Sequence, residues 1–244
     1  MVKPKHGRSA VWLLLPFIGL FNFQLRGQPR QISPDDNSDW WSITGPAGDG
    51  EVGTTQNREI ADANFQILGV DLREDAIARL EKRLGKTPIV ARGDGGESRE
   101  QACYRSPQEE PPTFLIAEEG EVNYAFYLFN DETRWNGREL CTRSGQVSRE
   151  AHTASGLHLG QTPEQVIKIL GKPSRRTPNE LSYVFEVKKG TAPDALARCR
   201  SQHPELSGTE IPENCATYDL TVFIRARFAH AKLVYLVVST TETT

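Results

Sequence analysis

The sequence predicts an α+β protein of two tandem units, each a helical segment packed on a small antiparallel sheet. Three observations predict it. Residues 69–88 and 156–173 carry nearly the same pattern: Gly-x-x-Leu, an amphipathic helix, then Leu-Gly-Lys with Pro close behind. Strand-like sequence follows each stretch, and each half holds a pair of cysteines. A repeat of this kind governs the fold reading before local signals do.

The N-terminus opens with Lys3, Lys5 and Arg8, followed by residues 10–23, which are apolar apart from Asn22. That run is shorter than the roughly 20 residues a membrane-spanning helix needs. It has the polarity of a secretory signal. Residues 1–27 are therefore read as a signal peptide, with an uncleaved N-terminal anchor as the alternative. Removing them removes Lys3, Lys5, Arg8 and Arg26 and no acid, which takes the formal charge from −3 to −7. An acidic chain with no basic cluster argues against nucleic acid or an anionic membrane surface as the main partner.

Residues 28–60 are rich in Pro, Asp, Ser, Thr and Gly and read as a flexible tether. Trp40 and Trp41 stand inside it. They either pack on the first unit or serve as a short partner-binding anchor, since exposed Trp is enriched at interfaces.

The first unit covers residues 61–145. Phe65, Ile67 and Val70 alternate as a short strand. Asp71 suits a helix N-cap, with Glu74 closing a capping box. Ile77, Leu80 and Leu84 line one helical face, and Gly85 and Pro88 end it. Residues 92–99 read as a Gly- and charge-rich loop. Residues 113–117 and 122–129 read as a hairpin turning through Glu118, Glu119, Gly120 and Glu121.

The second unit covers residues 152–244. Thr162, Pro163 and Gln165 form an N-cap, an N1 proline and the far half of a capping box. Val166, Ile169 and Leu170 make the apolar face, with Gly171 and Pro173 at its end. Residues 181–187 read as a strand. Residues 218–228 and 232–240 read as a long hairpin, with Leu220, Val222 and Ile224 on one face and Leu233, Tyr235 and Val237 on another.

Cys103, Cys141, Cys199 and Cys215 are the four cysteines. No Cys-x-x-Cys occurs and only His203 lies near a cysteine, so the spacing does not suggest zinc. An even count in an exported chain favours disulfides. The repeat favours Cys103–Cys141 and Cys199–Cys215, each contributing about 3–4 kcal/mol in the chain-entropy model.

Gly156, Leu159, Gly160, Thr162, Leu170, Gly171 and Pro173 fit a pattern of Gly-x-x-Leu-Gly-x-Thr, helix, and Leu-Gly-x-Pro. This resembles the helical signature of the β-lactamase-inhibitor-protein-like and BamE/SmpA-like families of exported bacterial proteins. Gln161 stands where Met is common. In the first half Gly69, Leu72, Leu84 and Gly85 fit, and Arg73 replaces a Gly. The resemblance covers roughly residues 65–88 and 156–240. It implies helices packed on antiparallel sheet and action by protein–protein contact.

No Gly-x-Ser-x-Gly, Walker loop, His-Glu-x-x-His or dinucleotide fingerprint occurs. His152 and His158 flank Ser155 only in sequence, and a triad is defined by geometry. Glu109-Glu110 and Glu118-Glu119 read as solvated turn residues, and Asp35, Asp36 and Asp39 lack the ligand spacing of a calcium loop. The expectation is a periplasmic or secreted, non-enzymatic module that binds a protein and needs no cofactor or metal. Tyr124, Phe126, Arg225 and Arg227 on exposed sheet faces, with Trp40 and Trp41, are the expected contacts. A small-ligand or cell-wall binding role is the alternative.

Overall fold

A computed structural model describes residues 53–92, 98–130, 140–191, 193–202 and 213–243. The signal-like segment, most of the tether, and Trp40 and Trp41 lie outside them.

Two short strands, β1 (Gln66–Ile67) and β2 (Val70–Asp71), pair with each other and lead into helix α1 (Ala76–Leu84). Ala76, Ile77, Leu80 and Leu84 are buried along one side of α1. Helix α2 (Pro163–Leu170) buries Val166 and Leu170. Gly85 and Gly171 terminate the two helices with φ of 102° and 82°. A side chain rarely adopts that conformation, which is why Leu-Gly recurs at both helix ends.

The two helix starts differ. Thr162 accepts from the Gln165 N–H, and Gln165 Oε1 accepts from the Thr162 N–H at 2.8 Å, so the expected capping box forms. Asp71 does not cap α1. Its carboxylate accepts from the Arg73 backbone N–H and, at 3.0 Å, from the Arg73 guanidinium, which lies over the Phe65 ring. The helix begins only at Ala76, after Asp75 in a left-handed conformation with φ of 47°.

The remaining strands are β3 (Ile89–Arg92), β4 (Arg99–Arg105), β5 (Phe114–Gly120), β6 (Asn123–Phe129), β7 (Thr142–Arg143), β8 (Arg175–Thr177), β9 (Glu180–Gly190), β10 (Thr217–Ala229) and β11 (Lys232–Thr243). They form one sheet in the order β3-β4-β5-β6-β11-β10-β9-β8, with β7 added parallel to β4. This overturns the expectation of two helix-on-sheet units. The described fold is mostly antiparallel sheet with short helices. The join is the β6–β11 ladder, in which Phe129 faces Tyr235 and Phe126 faces Val238. Each strand is long and apolar enough to bury an edge against the other, which removes two exposed edges at once.

One apolar cluster covers the helix side of the whole sheet. It joins Leu80 of α1, Leu128 of β6, Val166 of α2, Tyr183 of β9 and Leu236 of β11. The opposite face carries a second cluster that includes Cys103, Phe114, Ile116, Tyr127, Phe129, Tyr235 and Val237. Phe114 and Phe129 stack there with centroids 5.3 Å apart.

Leu233 does not share a face with Tyr235 and Val237. Arg227 pairs with Tyr235 but Phe228 pairs with Leu233, so Val234 is an extra residue in β11. A bulge shifts side-chain parity, and it turns Leu233 into the helix-side cluster. The bulged backbone is also anchored: Gly160 N–H donates to Leu233 O, and Leu233 N–H to Gln161 O, both at 2.8 Å.

Both expected disulfides form. Cys103 and Cys141 tie β4 to the segment before β7. Cys199 and Cys215 tie helix α3 (Pro193–Gln202) to the short helix α4 (Glu213–Ala216). Two disulfides belong to an oxidising environment, extracellular or periplasmic.

Candidate anion-binding site

Strand β10 alternates strictly. Leu220, Val222, Ile224, Ala226 and Phe228 enter the helix-side cluster. Phe223, Arg225 and Arg227 therefore project from the opposite face. The register places their neighbours. Arg225 stands between Ser182 of β9 and Val237 of β11, and Arg175 of β8 lies beyond Ser182. Arg227 stands between Glu180 and Tyr235.

The Cα atoms of Arg225 and Arg227 are about 6–7 Å apart along the strand. The guanidinium of Arg227 lies over the Tyr235 ring, 4.0 Å from its centroid, and that of Arg225 lies 5.5 Å from the Phe223 centroid. Cations hold such positions by attraction to the ring face. The carboxylate facing them is Glu180, whose Oε1 accepts from Ser182 Oγ at 3.1 Å and lies 3.5 Å from Arg225 Nε. The Arg225 side chain is 15% exposed and that of Glu180 is 19% exposed. The Nε atoms of Arg225 and Arg227 are both buried without a hydrogen-bond partner. Burial pulls the Arg225 guanidinium below its ordinary pKa; Arg227 and Arg175 push the same way, and Glu180 opposes them.

A polar chain continues from this cluster across the sheet. Tyr127 lies in the Arg225 row, opposite Val237. Glu118 is 1% exposed and accepts from Gln101 Nε2 at 2.6 Å and from Arg99 at 3.1 Å. It also shares a hydrogen bond with Tyr127. Burial raises the Glu118 carboxyl above its ordinary value. Burial likewise pushes Tyr235 up to about 12 and Tyr127 well above the usual phenol range. Both tyrosines are thus neutral phenols at physiological pH, able to donate.

The expected contact residues divide between the two faces. Phe126 is 1% exposed inside the helix-side cluster, and Tyr124 is half-buried against the same cluster. Arg225 and Arg227 lie on the other face, so these four residues do not form one surface. Glu118 and Glu119 are strand residues of β5, not turn residues, and the turn falls at Glu121 and Val122. Period-two alternation of Phe114, Ile116 and Glu118 was the available signal for a buried Glu118. The clustering of Arg175, Glu180 and Tyr235 around the arginine pair depends on register, which periodicity does not give.

Around Ser155, the hydroxyl bonds Thr153 Oγ1 and Asn64 Oδ1 and contacts no imidazole. Among the described residues no group of three or more His, Cys, Asp or Glu converges as a metal site. In the arginine cluster two guanidiniums offer forked donors, and the Glu180 carboxylate faces them. In comparisons with protein-family models, curated proteins and solved structures, nothing matched the chain.

Proposed function

We propose that the chain is an exported, non-enzymatic binding protein that grips an acidic partner protein through Arg225 and Arg227. The observation that carries this reading is the pair of arginines on successive same-face positions of β10, set over the Phe223 and Tyr235 rings and faced by the Glu180 carboxylate. A carboxylate from a partner would meet the forked guanidinium N–H groups in a charge-assisted and geometrically specific contact. Arginine set on an aromatic platform is also the side-chain chemistry that dominates binding energy at interfaces. The resemblance of residues 156–173 to families that act by protein contact points the same way.

The test is affinity capture from envelope extract on the oxidised chain, run beside an Arg225→Met/Arg227→Met variant of matched circular dichroism. The expected result is a protein retained by the wild type, released by salt and lost with the variant. Equal retention on both baits would sink the reading. Retention of glycan instead of protein, again lost with the variant, would move it to cell-wall binding.

A further inference from the structure

We propose that His152 and His158 form a two-imidazole site for a divalent transition metal, with coordination positions left open to a ligand from outside the chain. The two residues face each other across an isolated antiparallel bridge. Opposed residues in such a bridge project to the same side, with Cβ atoms about 4.5–5.5 Å apart.

Both rings are set in the same way. His152 Nδ1 lies 2.8 Å from Glu150 O, and His158 Nδ1 lies 2.7 Å from Leu159 O. A carbonyl oxygen only accepts, so each Nδ1 carries the proton and donates. In the neutral ring Nε2 then holds the lone pair. An imidazole whose Nδ1–H is fixed by a backbone carbonyl is the arrangement that orients metal-ligating histidines and raises their basicity.

The loop that displays them is braced from several sides. Thr153 is fully buried, and its Oγ1 accepts from Leu157 N–H at 2.9 Å. Thr153 N–H donates to Leu157 O at 2.9 Å. Gln161 spans the loop, donating to Gly156 O at 2.9 Å while accepting from His158 N–H at 3.1 Å. Ala151, Leu157 and Leu159 are buried beneath. His152 itself is exposed and His158 is half-buried. A fixed first shell of this kind lowers the ordering cost of binding.

Imidazole ligands suit zinc, copper and nickel and not calcium or magnesium. No third His, Cys, Asp or Glu converges with the pair among the described residues. Two positions of a tetrahedral ion therefore go to water or to a group from another molecule. The site involves none of the residues of the arginine cluster.

The test is calorimetric titration of the full oxidised chain, freed of metal by chelator, with Zn²⁺ alone. Electron paramagnetic resonance of the Cu²⁺-loaded chain runs in parallel. The expected result is one saturable site, weakened roughly tenfold or more by His152→Gln or His158→Gln. Each of those variants should also remove one coordinated nitrogen from the copper spectrum. A His203→Gln/His230→Gln variant should bind as the wild type does. Circular dichroism keeps loss of fold apart from loss of the ligand. Unchanged zinc affinity in the folded His152→Gln/His158→Gln variant, or a wild type that does not saturate by millimolar zinc, would overturn the proposal.

Discussion

Glu119 of β5 accepts a hydrogen bond at 2.8 Å from the backbone N–H of Ile77, in the first turn of α1. The helix supplies no side-chain cap of its own: Asp75 at the N-cap has φ of 47° and makes no capping bond. A sheet residue therefore satisfies the exposed helical donor and places negative charge at the positive end of the helix dipole. This bond also fixes how α1 sits on β5. Glu119→Ala should lower unfolding free energy by about 1 kcal/mol, the usual worth of an N-cap. Urea denaturation would read it. A loss within measurement error would show that water caps α1 equally well.

The neighbouring acid does the opposite work. Glu118 points to the other face of the same strand and is buried against Gln101, Arg99 and Tyr127. Burial raises its carboxyl above the ordinary 4.5. The folded chain then holds this proton to higher pH than the unfolded chain does. The stability tied to it is complete below 4.5 and declines as pH rises through the raised folded value. Glu119 and Glu242 shift in the same direction, whereas Asp71 is lowered from 3.8 by its bonds to Arg73, against the effect of its burial. Glu118→Gln removes the largest buried carboxyl from this set. Unfolding free energy measured at a series of pH values from 4.5 to neutral should fall less steeply in the variant. Parallel curves for variant and wild type would show that Glu118 does not contribute.

The contrast between these two acids shows what the sequence made legible. The helix faces, the Thr162–Gln165 capping box and the long hairpin of β10 and β11 follow from local pattern, both cysteine pairs follow from the repeat, and the structure forms them. The pattern did not reveal which strand edges meet. Two apolar edge strands, β6 and β11, offer the same alternation whether they end two sheets or join one, and here they join. Residues 92–99 read as a charged loop whose two ends belong to β3 and β4, and the charges of Arg99, Glu100 and Arg105 hid a strand in which Ala102, Cys103 and Tyr104 are buried. Arg225 and Arg227 were legible as polar positions on an alternating strand. Their partners Glu180, Ser182 and Tyr235 come from other strands through register, and the Val234 bulge sets part of that register.

The hairpin turn between β10 and β11 retains a local conflict. His230 and Ala231 have φ of 51° and 56°, while Ala229 pairs with Lys232. Two-residue turns with both φ values positive favour Asn-Gly, because residues with a Cβ are strained there. His230→Asn/Ala231→Gly should raise stability by about 1 kcal/mol. Thermal unfolding would show this as a higher midpoint. A lower midpoint would mean that His230 makes a stabilising contact the turn geometry does not explain.

The two disulfides should differ in their effect on the sheet. Cys103 and Cys141 close a span of 38 residues, and Cys199 and Cys215 one of 16. By loop closure alone their removal costs about 4 and about 3 kcal/mol. The first pair also belongs to the same buried cluster as Phe114, Phe129 and Tyr235. Replacing both cysteines by alanine empties volume in the cluster that also holds Phe114, Phe129 and Tyr235. Cys103→Ala/Cys141→Ala should therefore lose more stability than the span predicts, and its near-ultraviolet circular dichroism should weaken at 25 °C in native buffer. Cys199→Ala/Cys215→Ala joins only α3 and α4 and should keep that aromatic signal. If both variants lose the aromatic signal equally, the α3–α4 bridge also supports this cluster, which then extends further along β10 than its packing indicates.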